Sequence, residues 1–333
     1  MNNDKAIAAA QDAVNQAVSL GDDKALKKHL SALRALGVSK LTQKDGNGAT
    51  PLSKAAESGT AHAVEILIEW CDVDAPDAAG NTALFSAAYQ GNLDSVRLLA
   101  KAGDPLATNV AGQTAANYAV AMDHVEIVDF LVNRGALLNS SRYSETLLHA
   151  AARAGAVKCA RFLVDRVDPD APNANGGSAL ALAIEEDCVE IAAILAPFSG
   201  LGSMRGYTVG RESAWAYSAF TGAARCLKHF LSQVEWRHTD SDGHNVFDFC
   251  LSFSPPSTRA VCVALLEGAI PLDIGREMVN KHGKEALPLL LARIESHDLE
   301  QVVGEIERDG KENASSPSTK NRESIASPTK KRL

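Results

Sequence analysis

The sequence predicts an all-α fold: a solenoid of helix-turn-helix pairs joined by β-hairpin-like loops, followed by a disordered basic tail. Three observations predict it. A hydroxyl residue returns every 32 positions, at Thr50, Thr82, Thr114, Thr146 and Ser178. Aromatics make up only 5% of the 333 residues while alanine abounds, and small side chains let helices approach closely. The composition then breaks after Arg308 into a Ser-, Pro- and Lys-rich stretch that can bury too little to order itself.

Each part of the unit has a physical reason. Gly48-Ala-Thr50-Pro-Leu52 is followed by Gly80-Asn-Thr82-Ala-Leu84, then Gly112-Gln-Thr114-Ala, Ser144-Glu-Thr146-Leu-Leu148-His149 and Gly176-Gly-Ser178-Ala-Leu180. The Asp and Gly ahead of the hydroxyl make a tight turn. The hydroxyl caps a short helix by accepting a backbone N–H bond, and Pro51 suits a first turn whose N–H has no helical partner. Ala55-Ala56, Ala87-Ala88, Ala151-Ala152 and Ala183 come next and allow close helix packing. A turn residue stands nine positions after each hydroxyl: Gly59, Gly91, Asp123, Gly155 and Asp187. Glycine there takes the positive φ that other residues resist. A second apolar helix closes each unit, at 64–68, 96–100, 127–132, 160–164 and 191–195. Such a unit buries its apolar face only against its neighbours.

These residues resemble the ankyrin repeat family, whose signature is D-x-x-G-x-T-P-L-H-x-A-A-x-x-G, an apolar helix and then G-A. Asp45 to Gly59 matches except that Ser53 stands where His is typical; His149 fills that slot, and Gly135-Ala136 and Gly268-Ala269 match the closing pair. The resemblance implies about seven to eight repeats with divergent caps. It divides the chain into an N-terminal helical cap (1–44), five regular repeats (45–196), a Gly-rich irregular insertion (197–211), divergent repeats with a C-terminal cap (212–308) and the tail (309–333). Ser213–Gly222 with Ala223–Leu231 reads as a sixth unit, and Asp240–Asn245 opens a seventh. Leu287–Ala292 with Leu299–Val303 reads as a last helix pair.

Composition narrows the function. The net charge of −8 and pI near 5.6 disfavour a general nucleic-acid or anionic-membrane binder. No apolar run approaches the roughly 18 residues of a membrane span, and the first residues lack the basic start and apolar core of a secretory signal. Six scattered cysteines without a C-x-x-C pair fit reduced thiols, hence an intracellular protein of cytoplasm, nucleus or both. No catalytic, cofactor or metal site is expected. Cys226 and His229 share a helix face, but no second Cys/His pair completes a tetrahedral zinc site, and core packing explains the cysteine. His282-Gly-Lys-Glu285 lacks the Ser/Thr and earlier Gly of a phosphate loop, and Gly200-Leu-Gly-Ser-Met-Arg-Gly206 follows no parallel strand. The Glu185-Glu186-Asp187 run reads as a solvated helix end. The insertion Pro197–Arg211 reads either as a binding or hinge loop or as a tolerated surface insertion.

Ankyrin proteins bind partners with hairpin tips and first helices that line a concave groove, so the resemblance implies a protein partner there. By register the partner-binding candidates are Tyr89, Gln90, Met122, Arg142, Tyr143, Arg153 and Phe220. Aromatics and Arg are the side chains that anchor interfaces. Packing on a neighbouring unit is the competing explanation for each, Phe220 above all.

The tail adds three short signals. Lys311, Glu312 and Asn313 resemble a KEN degradation box read by a ubiquitin ligase. Ser316 and Ser327 precede proline, as proline-directed phosphorylation sites do. Lys330, Lys331 and Arg332 resemble a nuclear localisation signal read by importin, beside which phosphate on Ser327 would add about −1.5 to −2 charges. The tail carries six Lys/Arg against three Asp/Glu, a charge of +3 that leaves −11 on the rest of the chain. A purely solubilising tail competes with all three signals. The expected function is therefore a non-enzymatic interaction scaffold. The alternatives are a cell-cycle-regulated nuclear regulator or inhibitor, and an enzyme or ligand-binding site in 197–300.

Overall fold

A computed structural model of the chain describes residues 2–136, 145–199, 203–204, 207–208, 214–231, 251, 256–282 and 287–315. It forms two compact units, Met1–Cys262 and Val263–Leu333.

The first unit is a stack of helix pairs. It opens with α1 (Asn2–Leu20) and α2 (Asp23–Ala35), then α3 (Pro51–Ser58) and α4 (Ala61–Ile68), α5 (Ala83–Gln90) and α6 (Leu93–Ala102), and α7 (Ala115–Ala121) and α8 (Val125–Val132). It continues with α9 (Leu147–Ala154) and α10 (Val157–Leu163), α11 (Ala179–Glu185) and α12 (Val189–Leu195), and α13 (Ala214–Thr221) and α14 (Ala224–Phe230). First helices pack on first helices, α1 on α3 and then α5, α7, α9, α11 and α13 in turn; second helices form a parallel layer from α2 through α4, α6, α8, α10, α12 and α14. Leu52, Leu84, Ala116, Leu148 and Leu180 fill equivalent buried positions of the core, and the alanine pairs beside them are buried too. Burying that apolar surface is the main favourable term, and each unit supplies it only in the presence of the next.

The expected caps form at most units. Thr50 accepts from the Ser53 N–H at 3.1 Å, and the Ser53 hydroxyl accepts from the Thr50 N–H at 2.8 Å. Asn117 accepts from the Thr114 N–H at 2.9 Å, and Ser178 accepts from the Ala181 N–H at 3.3 Å. In the fourth unit His149 plays the partner of Thr146. Thr82 departs from the expectation. Phe85 stands where the others place Ser53, Asn117 and His149, and the buried Thr82 Oγ1 finds no hydrogen-bond partner among the described residues.

The hairpin tips repeat a second device. Asp45 Oδ1 accepts the N–H groups of Asn47 and Ala49, both at 2.9 Å. Asp77, Asn109 and Asn173 do the same in their own loops. Adjacent tips are joined by backbone bonds, from the Ala78 N–H to Asn47 O and from the Val110 N–H to Ala79 O.

The described elements are helical, in keeping with the expected all-α class, apart from a two-residue antiparallel ladder in the Gly-rich insertion, β1 (Ser203–Met204) with β2 (Tyr207–Thr208). The reading of the C-terminal end is revised. The expected last helix pair is one long helix. In the second unit, the end of α15 (Pro256–Ala269) leads to α16 (Leu272–His282) and α17 (Pro288–Ser315). No glycine or proline lies between Ala292 and Leu299 to break it, so the helix runs through. It also carries past residue 309, where composition alone placed the start of the tail. Glu267 is buried here and accepts from the Leu290 N–H at the start of α17. Burial pushes its carboxyl up, against the lowering effect of the Leu290 and Leu289 N–H groups.

Candidate functional site

The first-helix layer carries a hollow of about 250 Å³ lined by Glu57, Asp77, Asn81, Phe85, Ser86, Tyr89, Gln90 and Tyr118. Three successive repeats build it: the end of α3 gives Glu57, the second loop and α5 give most of the rest, and α7 gives Tyr118. Phe85 is fully buried and meets the Tyr118 ring edge-to-face at 5.3 Å. Tyr89 meets the same Tyr118 ring edge-on at 6.3 Å while staying 44% exposed, so it presents an aromatic surface to solvent.

The polar side of the hollow is fixed by a side-chain network. Tyr118 Oη donates to Asn81 Oδ1 at 3.1 Å, and Asn109 Nδ2 donates to the same oxygen at 3.0 Å. Asn81 Nδ2 in turn donates to Asp77 Oδ2 at 3.2 Å. The network ties adjacent hairpin tips to the helix behind them and fixes the Tyr118 ring. Glu57 is exposed and makes no hydrogen bond or ion pair among the described residues. Two carboxylates and no basic side chain line the hollow.

The sequence candidates separate on this frame. Tyr89 and Gln90 line the hollow. Met122 caps the end of α7 one repeat further on, 44% exposed and outside the hollow. Arg153 ends α9, with its guanidinium paired to the Glu145 carboxylate. Phe220 is half-buried and lies against Tyr217, with ring centroids 6.1 Å apart, so it is partly engaged within its own helix. Tyr217, one turn away, donates to Glu185 of the preceding repeat at 2.6 Å. Arg142, Tyr143, Ser316, Ser327, Lys330, Lys331 and Arg332 lie outside the described residues. Lys311, Glu312 and Asn313 fall in the closing turns of α17.

Sequence reasoning missed Tyr118 and Phe85. Tyr118 stands four residues after its cap, where the other regular units carry Lys54, Ser86, Ala150 and Leu182. A lone aromatic at that register position was the available signal. Phe85 was equally visible as the one aromatic in the cap-partner slot.

The thiols follow from burial. Cys71 is pushed up to about 11 by desolvation. Cys159 and Cys226 are pushed up to about 12, by desolvation first and then by the nearby Asp123 and Asp187 carboxylates. None is a nucleophile at neutral pH. Cys226 is enclosed in the core, and among the described residues no group of three or more His, Cys, Asp and Glu is placed to hold a metal ion. No described helix is long and apolar enough to cross a membrane.

A family model described as ankyrin repeats (3 copies) matches residues 14–109 and 136–205, and a second, described as ankyrin repeat, matches residues 111–142. No curated protein matches the chain.

Proposed function

The chain belongs to the ankyrin repeat family, and on that premise we propose that it is a non-enzymatic scaffold or adaptor that holds a protein partner on the concave face of its array. Ankyrin repeats are in general protein–protein interaction modules. The observation that supports this reading is the hollow on the first-helix layer, where Tyr89 stands exposed on a ring cluster held from below by Phe85 and Tyr118. Exposed aromatic anchors on a rigid base are what interface hot spots are made of. Arg153 repeats the register of Tyr89 two units on, and Tyr143, which lies outside the described residues, is the hairpin-tip candidate of that unit.

The experiment is capture of partners by the tagged chain, compared with a Tyr89→Ala/Tyr143→Ala/Arg153→Ala variant. The expected outcome is loss of array partners at unchanged helical circular dichroism. Unchanged capture contradicts the assignment of this face.

A second reading rests on the tail alone: a nuclear, cell-cycle-linked regulator, with Lys311-Glu312-Asn313 as degradation motif, Ser316 and Ser327 as phosphorylation sites and Lys330-Lys331-Arg332 as import signal. The same capture without residues 309–333 separates the two. Loss of a ubiquitin ligase or importin on truncation supports the tail reading, and their absence from both samples contradicts it. Of the stretch named by the enzyme alternative, 197–300, residues 232–250 lie outside the described set.

A further inference from the structure

We propose that the hollow between Glu57, Asp77, Tyr89 and Tyr118 is an arginine pocket: it receives a guanidinium from the partner. This rests on the scaffold reading and names the chemistry the partner must bring.

Charge selects a cation. Both ionisable carboxylates of the lining are acidic, Glu57 and Asp77, with no lysine, arginine or histidine among the eight lining residues. The nearby Lys54 is already committed to Asp45 at 3.0 Å. Glu57 is exposed and unpaired among the described residues, so it can accept a donor without breaking a contact. Asp77 spends Oδ1 on the Ala79 and Asn81 N–H groups at 2.8 Å and Oδ2 on Asn81 Nδ2, which fixes its position and leaves lone-pair capacity on Oδ2.

Shape selects the planar cation over the compact one. Tyr89 and Tyr118 meet at 68°, an edge-to-face arrangement in which one ring spends only its edge on the other. A ring face beside carboxylates suits a guanidinium, which stacks flat and donates in its own plane at once. An ammonium has no plane to stack. The hollow is preorganised as well, since Tyr118 is held by Asn81 and its ring is braced by Phe85.

The test uses the full chain against peptide pools of randomised flanks with the central residue fixed as arginine, lysine, citrulline, leucine or glutamate. Retention of the arginine pool should exceed that of the isosteric but neutral citrulline pool by about fivefold, and exceed the lysine pool. Glu57→Gln/Asp77→Asn should lower arginine retention to the citrulline level. The second substitution keeps the Oδ1 bonds of the loop, as Asn109 and Asn173 show, but removes the acceptor of Asn81 Nδ2, so Glu57→Gln alone is the cleaner readout. Glu57→Gln alone touches no hydrogen bond and should give part of the loss. Equal retention of arginine and citrulline, equal or better retention of lysine, or an arginine preference that survives the double variant overturns the proposal. Selection of another pool that is lost with Tyr89→Ala overturns the arginine pocket while leaving the scaffold reading standing. No selection in any pool overturns the pocket, and the scaffold reading is then decided by the capture of array partners.

Discussion

Asp123 and Asp187 are the non-glycine residues with positive φ among the described residues, at 59° and 50°. Left-handed backbone costs an L-residue roughly 1–2 kcal/mol, so something must offset it. Asp123 accepts from the Cys159 N–H at 2.8 Å and the Lys158 N–H at 3.3 Å, capping the second helix of the next repeat. Asp187 does the same for Cys226 at 2.8 Å and Arg225 at 3.2 Å. The residue that opens the capped helix is then Ala156 or Ala223, too small to obstruct. At two of the glycine turns, Gly59 and Gly91, the traffic reverses. Asn92 reaches back to Ala56 O at 2.8 Å over Gly59, and His124 reaches back to Tyr89 O at 3.1 Å over Gly91. A β-carbon at Gly91 would lie 2.7 Å from the His124 ring. At these four turns the turn residue and the next opening residue are therefore matched as a pair. Asp123→Ala keeps the left-handed strain and loses the cap, so it should cost about 1–3 kcal/mol in denaturant unfolding. Asp123→Gly should cost less, and Asp123→Gly/Ala156→Asn should recover further by installing the pair seen at Gly59 and Asn92. Equal stability of all three variants would contradict the pairing.

At the scale of the element, His149 shows how one helix start is bolted to the next repeat. The Thr146 N–H donates to Nδ1 at 3.2 Å, which leaves Nε2 to donate to Gly177 O at 3.0 Å. That arrangement needs the neutral ring. Burial lowers its proton affinity below the usual 6.5, the Gly177 carbonyl and Glu145 acting against it. A base depressed in the folded state binds its proton more readily when unfolded. Its contribution to stability is therefore complete above about pH 6.5 and is lost as the pH falls below that towards the folded value. Ser53 fills the same slot in the first regular unit without titrating, so His149→Ser should reduce the drop in thermal midpoint between pH 7.5 and pH 5.5. An undiminished drop would contradict the assignment. Most of this element logic was legible in the sequence. The 32-residue hydroxyl period placed every regular first helix, and the turn residues were found at their offsets. What was not legible was the cross-repeat reach of Asp123 and Asp187, because a turn residue's sequence offset says nothing of which neighbour its side chain meets. The hydroxyl period makes Thr82 a cap like the others, but Phe85 replaces the polar partner with an apolar floor. The long α17 looks like two helices in the sequence because apolar residues cluster at both ends of a stretch that has no breaker.

At the scale of the whole chain, the family and the stacked helix pairs were readable from periodicity, since periodicity is what a solenoid is. The candidate face was only half readable. Register put Tyr89 and Gln90 on the exposed ends of first helices, whereas the network of Asn81, Asn109 and Tyr118 that shapes the hollow joins residues 28 and 37 positions apart. The claim that the first-helix layer, and not the second, meets a protein partner is tested most directly by site-specific photo-crosslinking. A benzophenone side chain is placed at Tyr89 or Met122 on the first-helix layer, and at Arg97 or Glu126 on the second. Partner adducts are then identified by mass spectrometry. The account predicts adducts from positions 89 and 122 with none above background from 97 and 126. Adducts confined to 97 and 126 would contradict it.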